Sequence, residues 1–199
     1  MKKNLLWIAA ILCFSFSGCV VIGGYADMAR NISLSEEYHA VLAKWTRGKT
    51  LYSQFETKIR LVATCVTGEF MEAYIAENTR LYNETDRAAV ERMEGFIRDD
   101  TGVLEIVFYA SSPKEEVNDF ASTPSSWVVF LQTTDGERLD PVEIREIKDI
   151  TPQVEAFFPY VQKRYGKFYS LLFQRPQPTD TCEGILVFTG VVGRIELSW

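Results

Sequence analysis

Lys58-Ile59-Arg60-Leu61-Val62-Ala63-Thr64-Cys65-Val66 changes character at every residue, with Ile59, Leu61, Ala63 and Cys65 on one side and charged or β-branched residues on the other. A period of two is that of a β-strand with one face turned to a core. Six further segments read as strands: Val103 to Tyr109, Trp127 to Thr133, Leu139 to Ile147, Lys167 to Gln174, Ile185 to Gly190 and Arg194 to Trp199. Asp135-Gly136, between the second and third of these six, is the residue pair of a tight hairpin turn, because both types tolerate the positive φ it needs. Val191-Val192-Gly193 joins the last two. Ser111 to Ser126 is a polar loop, Arg175 to Glu183 a Pro-rich one, and Thr151 to Arg164 an aromatic connection with room for a short helical turn.

On either side of Lys58 to Val66 the period is helical. Ser33 and Glu36 stand three apart as in a capping box. Leu34, Tyr38, Val41, Leu42 and Trp45 then recur at helical spacing, with Gly48 as the stop. Glu69 to Tyr82 and Asp86 to Arg98 read as two more helices joined by Asn83-Glu84-Thr85, a helical hairpin. The expected fold is therefore α+β: a mainly antiparallel β-sandwich over residues 57–199, with an N-terminal helix and a helical hairpin inserted at about 69–98. Seven strands resemble an immunoglobulin-like sandwich in strand count alone, since the Cys, Trp, Cys spacing of true immunoglobulin domains is missing. Such a likeness carries no function.

The chain opens with Lys2 and Lys3, an almost wholly apolar run from Leu5 to Phe16, and Phe16-Ser17-Gly18-Cys19. About a dozen apolar residues are too few to span a hydrocarbon core, which takes roughly 20, but they suit the central part of a signal peptide. These residues resemble the lipobox of bacterial lipoproteins. The resemblance implies that Cys19 receives a diacylglyceryl group and becomes the first residue of the mature chain after signal peptidase II cleavage. The expected organisation is a signal peptide at 1–18, a lipidated tether at 19–32 and a single globular domain at 33–199. Two or three acyl chains make attachment effectively permanent, because each buried methylene contributes about 0.8 kcal/mol. The 13 residues from Val20 to Ile32 reach about 45 Å when fully extended at roughly 3.5 Å each. Val20 stands where the inner-membrane retention signal of enteric bacteria has Asp, so the resemblance implies the outer membrane.

Removing Met1 to Gly18 takes two of the 21 basic side chains and none of the 27 acidic ones, leaving 19 against 27 and a net charge of −8. This balance disfavours nonspecific binding of nucleic acid or of anionic lipid, since phosphate contact needs clustered Lys and Arg, and no nucleic-acid partner is expected. The nearest basic run, Lys163-Arg164-Tyr165-Gly166-Lys167, reads as a solvated turn rather than an anion or headgroup contact. Of four cysteines, Cys13 leaves with the leader and Cys19 carries lipid, so the exported domain keeps Cys65 and Cys182. An oxidising compartment favours a bridge between them, and two separate reduced thiols are the equal alternative. A bond across their 117 positions would stabilise by somewhat under about 5 kcal/mol in the chain-entropy model.

Chemistry-bearing patterns are few. Ala43-Lys44-Trp45-Thr46-Arg47-Gly48-Lys49-Thr50 fits the relaxed phosphate-loop pattern. That chemistry needs a strand before the loop and a helix after it. Here the order is helix then strand, so the match reads as chance and no nucleotide is expected. His39, the single histidine, lies one position off its helix's apolar stripe and reads as a surface residue. Glu69 with Glu72, and Glu91 with Glu94, are three apart on helices, and Asp99-Asp100 follows. Paired carboxylates serve as acid and base only when their environments split their pKa values, and on exposed helix faces they solvate. No Gly-x-Ser-x-Gly elbow occurs. No catalytic residue, metal ligand or cofactor is assigned. Phe157, Tyr160, Tyr165 and Tyr169 are the candidate binding surface, because aromatic side chains are favoured at interface hot spots. The expected function is a membrane-tethered, noncatalytic accessory module that binds another envelope protein. A small-ligand or lipid binder is the alternative, and an envelope hydrolase a distant third.

Overall fold

Helix α1 (Glu36–Trp45) runs without a break into strand β1 (Thr46–Ser53), which turns back as β2 (Glu56–Val66). The architecture is that of a computed structural model describing residues 34–53, 55–83, 85–88, 90, 102–174 and 182–199. The leader, Cys19 and the tether lie outside the described residues, as do most of the second hairpin helix and residues 175–181 of the Pro-rich loop. Ser35 to Trp199 forms one compact unit.

After β2 come helix α2 (Gly68–Tyr82), β3 (Val103–Ser111), β4 (Trp127–Gln132), β5 (Arg138–Leu139), β6 (Glu143–Ile147), helix α3 (Pro152–Phe157), β7 (Lys167–Gln174), β8 (Ile185–Gly190) and β9 (Gly193–Ser198). They form two sheets, a five-stranded one in the order β1-β2-β3-β7-β6 and a four-stranded one in the order β5-β4-β8-β9, with every pairing antiparallel. This is the α+β, mainly β sandwich. The described strands number nine rather than seven. One addition is β1, of which sequence reading placed Thr46 to Gly48 at the stop of a helix and the rest in no element. The other arises because Leu139 to Ile147 is two strands in different sheets, crossing over at Asp140-Pro141, where proline can donate nothing to a ladder.

The five-stranded sheet is covered on both sides. Towards the other sheet it presents Ile59, Leu61, Ala63 and Cys65 from β2, Ile106 and Phe108 from β3, and Tyr169 and Leu171 from β7, packed against Val129, Leu131, Leu186, Phe188 and Ile195. The opposite face carries an aromatic cluster linking helices to sheet. Phe157 of α3 lies 5.3 Å from the Tyr38 ring and 4.6 Å from that of Tyr74, while Phe158 lies 5.4 Å from Phe168. Burial on two faces is why β3 and β7 read as nearly continuous apolar runs. The four-stranded sheet has one wet face, and β4 and β9 alternate accordingly.

Local chemistry sets the helix ends. Ser35, not Ser33, caps α1, its hydroxyl accepting from Tyr38 N at 3.2 Å. Thr67 caps α2 and Thr151 caps α3 in the same way, the latter with Pro152 in the first turn. Asn83 ends α2 in the left-handed conformation. Glu77 of α2 ties the two helices together, accepting from Ser35 N at 2.8 Å and pairing with Arg80 at 2.6 Å. Cys65 of β2 and Cys182, before β8, form a disulfide that joins the two sheets.

Candidate functional site

The four aromatic residues proposed from sequence as one surface do not form one. Phe157 is 0 % exposed and Tyr169 1 %. Capping at Thr151 sets the start of α3 so that Phe157 points under it, and Tyr169 occupies a core-facing position of β7, stacked on Phe108 at 4.8 Å. Tyr160 is half-buried, with its hydroxyl 2.6 Å from Thr64 Oγ1. Burial pushes the phenols of Tyr160 and Tyr169 well above their ordinary range. Only Tyr165 is exposed, at 66 %.

Tyr165 stands at the mouth of an open cleft of about 400 Å³ at one end of the five-stranded sheet. The turn from Gln162 to Tyr165 forms one wall, held from behind. Tyr165 N donates to Gln162 O at 3.0 Å, Tyr109 hydroxyl donates to the same oxygen at 3.0 Å, and Glu155 accepts from Lys163 N at 3.0 Å. Gly166 lets this turn press onto β3: a Cβ there would sit 2.3 Å from Ala110 O and 2.6 Å from the Tyr109 ring. The end of β6 supplies the facing wall, with Lys148 just beyond it. Buried Ile147, Ile150 and Phe168 lie at the base.

The loop after β3 closes the rim through Ser112, Glu115 and Asn118. Buried Asn118 fastens it, donating to Ala110 O at 2.8 Å while its own carbonyl accepts from Tyr169 hydroxyl at 2.8 Å. Lys167 Nζ donates to Asn118 O at 3.2 Å and lies 3.9 Å from Glu115. A second hollow, of about 380 Å³, shares Asn118, Glu146, Lys148 and Lys167 with the first. The two adjoin across these residues, and the second adds Asp119, Glu143 and Arg145 to its own lining.

Four cations, Lys148, Lys163, Arg164 and Lys167, line the first cleft against two carboxylates, Glu115 and Glu146. This is a local excess of positive charge on a chain of net charge −6. Among the described residues the side chains of Lys148, Lys163 and Arg164 enter no ion pair. The basic run at 163–167 was visible in sequence. Lys148, Glu115 and Asn118 were not, because the pairing of β7 with both β3 and β6 is what brings their segments beside it.

The opposite edge of the sandwich carries a different surface. Arg47 Nε donates to Ser198 O at 2.8 Å, and a Cβ on Gly193 would sit 2.6 Å from Leu51 Cδ2, so β1 and β9 run side by side. Their continuations bring the β1–β2 tip and the β8–β9 turn to the same end. There Tyr52, Phe55 and Val191 are all exposed, the last two almost completely.

The other sequence candidates are placed as follows. Residues 43–50 run from the end of α1 into β1, leaving no loop to wrap a phosphate. His39 is exposed on α1. Glu69 accepts from Lys44 and from Trp45 Nε1 at 2.9 Å, and the Lys44 ammonium holds its carboxyl below the usual range. Glu91, Glu94, Asp99 and Asp100 lie outside the described residues. Comparison with protein-family models, curated proteins and solved structures finds no match.

Proposed function

We propose that this protein is a lipid-anchored, noncatalytic accessory module of the bacterial cell envelope, held at the outer membrane through Cys19 and docking on another envelope protein. The observation that carries the docking is the exposed apolar end made by Tyr52, Phe55 and Val191. Large aromatic side chains left in water, here Tyr52 and Phe55, are favoured anchors of a protein interface, and a tether that reaches at most about 45 Å keeps the domain in the neighbourhood of the membrane. The anchoring is supported by the lipobox-like residues Phe16 to Cys19. Export is supported by the Cys65–Cys182 bridge, since such bonds persist in oxidising compartments.

The test is the full chain made in a bacterial host with a photoreactive residue at position 55 or, as control, at Val128 on the wet sheet face. Intact mass is expected to show a mature chain beginning at Cys19 with acyl chains, absent from a Cys19→Ser variant. Irradiation is expected to join position 55, but not 128, to one envelope protein. An unmodified chain sinks the anchor, and equal or absent adducts at both positions sink the docking surface. The small-ligand alternative draws on a separate observation, the charged groove.

A further inference from the structure

We propose that the groove beside Tyr165 is a binding site for a phosphorylated sugar, either free or as the headgroup of a glycolipid. The argument rests on what the lining offers a ligand. Arg164 and Lys163 approach from the turn before β7, and Lys148 from the end of β6, so an anion between them meets cations from two sides. These three side chains have no carboxylate partner among the described residues. Their charge is therefore available rather than already neutralised, and a guanidinium beside ammonium groups is the arrangement that suits phosphate oxygens.

The same groove also carries acceptors. Glu115 and Glu146 line it with Ser112 and Asn118. Carboxylates in the lining repel a polyanion such as nucleic acid and offer nothing to an apolar chain, but they accept hydrogen bonds from hydroxyl groups. A ligand bearing one anionic group and several hydroxyls satisfies both sets. Tyr165 adds a flat apolar face at the mouth, suited to the C–H face of a sugar ring. The cleft volume of about 400 Å³ lies in the range of small-ligand sites, roughly 300–1,000 Å³, and far exceeds what inorganic phosphate alone would fill. The walls are fixed in advance by Gly166 against Ala110 and by Asn118 between β3 and β7. The inference is independent of the protein partner and of the lipid anchor.

Isothermal titration calorimetry on the full chain purified in a polyoxyethylene detergent tests it. Glucose 6-phosphate is expected to bind at least about tenfold more tightly than either inorganic phosphate or glucose, since each makes only part of the contacts. The Lys148→Gln, Arg164→Gln double variant should lose about tenfold or more in affinity for glucose 6-phosphate. Tyr165→Ala should lose about fivefold for the sugar phosphate while leaving inorganic phosphate unchanged. All three residues are exposed, so unchanged melting temperatures are expected to show that the fold is retained. Micelles doped with a 6-phosphoglucosyl diacylglycerol, which carries the same sugar phosphate as a lipid headgroup, distinguish the source: binding about tenfold tighter than glucose 6-phosphate assigns a lipid headgroup, and equal or weaker binding assigns the free sugar phosphate. No heat with glucose 6-phosphate or the doped micelles, equal binding of glucose or inorganic phosphate, or affinity indifferent to the double variant would each overturn the proposal.

Discussion

Phe157 and Tyr165 belong to one aromatic run and meet opposite environments. Phe157 sits between the rings of Tyr38 and Tyr74, so Phe157→Ala is expected to cost about 3–5 kcal/mol. Tyr165→Ala should change stability by no more than about 0.5 kcal/mol. Urea unfolding of both variants checks the pair, and equal losses would mean that the turn is not where the structure puts it. Gly166→Ala belongs with the first kind. Its Cβ would meet Ala110 O at 2.3 Å, and backbone cannot yield as a side-chain end can. That variant is expected to lose stability and to weaken the Tyr165 groove together. At the residue level the exposure of Tyr165 was legible in the sequence and the burial of Phe157 was not. Composition marks an aromatic run as important without saying which rings face inward, because both core packing and interfaces favour the same side chains.

Elements were far more legible than their partners. β7 and β8 appear in the structure with the bounds read from their apolar runs and flanking loop residues, and α2 differs only at its first residue. β1 escaped because Thr46 to Ser53 is polar and its residues are mostly half-buried or exposed. It holds its place through the ladder to β2 and by contact with β9, neither of which is a local signal. The cap of α1 moved from Ser33 to Ser35 because Ser35 also meets Glu77, 42 residues away. That contact has a measurable consequence. Burial would raise the Glu77 carboxyl, but Arg80 and the Ser35 N–H outweigh it and hold the group below its ordinary value. A carboxyl depressed on folding stabilises the fold above its unfolded pKa, and that contribution disappears as pH falls through the folded value. Glu77→Gln is therefore expected to be less stable at pH 7 and to show a shallower loss of stability below about pH 4. Urea midpoints measured across that range test it. A parallel acid limb in both proteins would remove Glu77 from this role.

At the scale of the whole molecule, the disulfide is the one side-chain cross-link between the sheets among the described residues. Cys65→Ala with Cys182→Ala is expected to cost about 2–5 kcal/mol, lowering the melting temperature by roughly 2–4 °C for each kcal/mol in a domain of this size. An unchanged melting temperature would mean that packing alone holds the sandwich. What the chain determined by itself were quantities carried by neighbouring residues: strand and helix periods, turn chemistry, the lipobox-like leader, and the acidic balance. The periods of the described strands and helices survive translation into structure because a side chain's direction follows from its place in the local repeat. Which rings are buried, which strand switches sheets, and which charges meet across the Tyr165 groove were decided by tertiary structure. Those outcomes depend on long-range strand pairing, where β7 lies between β3 and β6, and pairing partners far apart in the chain leave no mark in either one's own spacing.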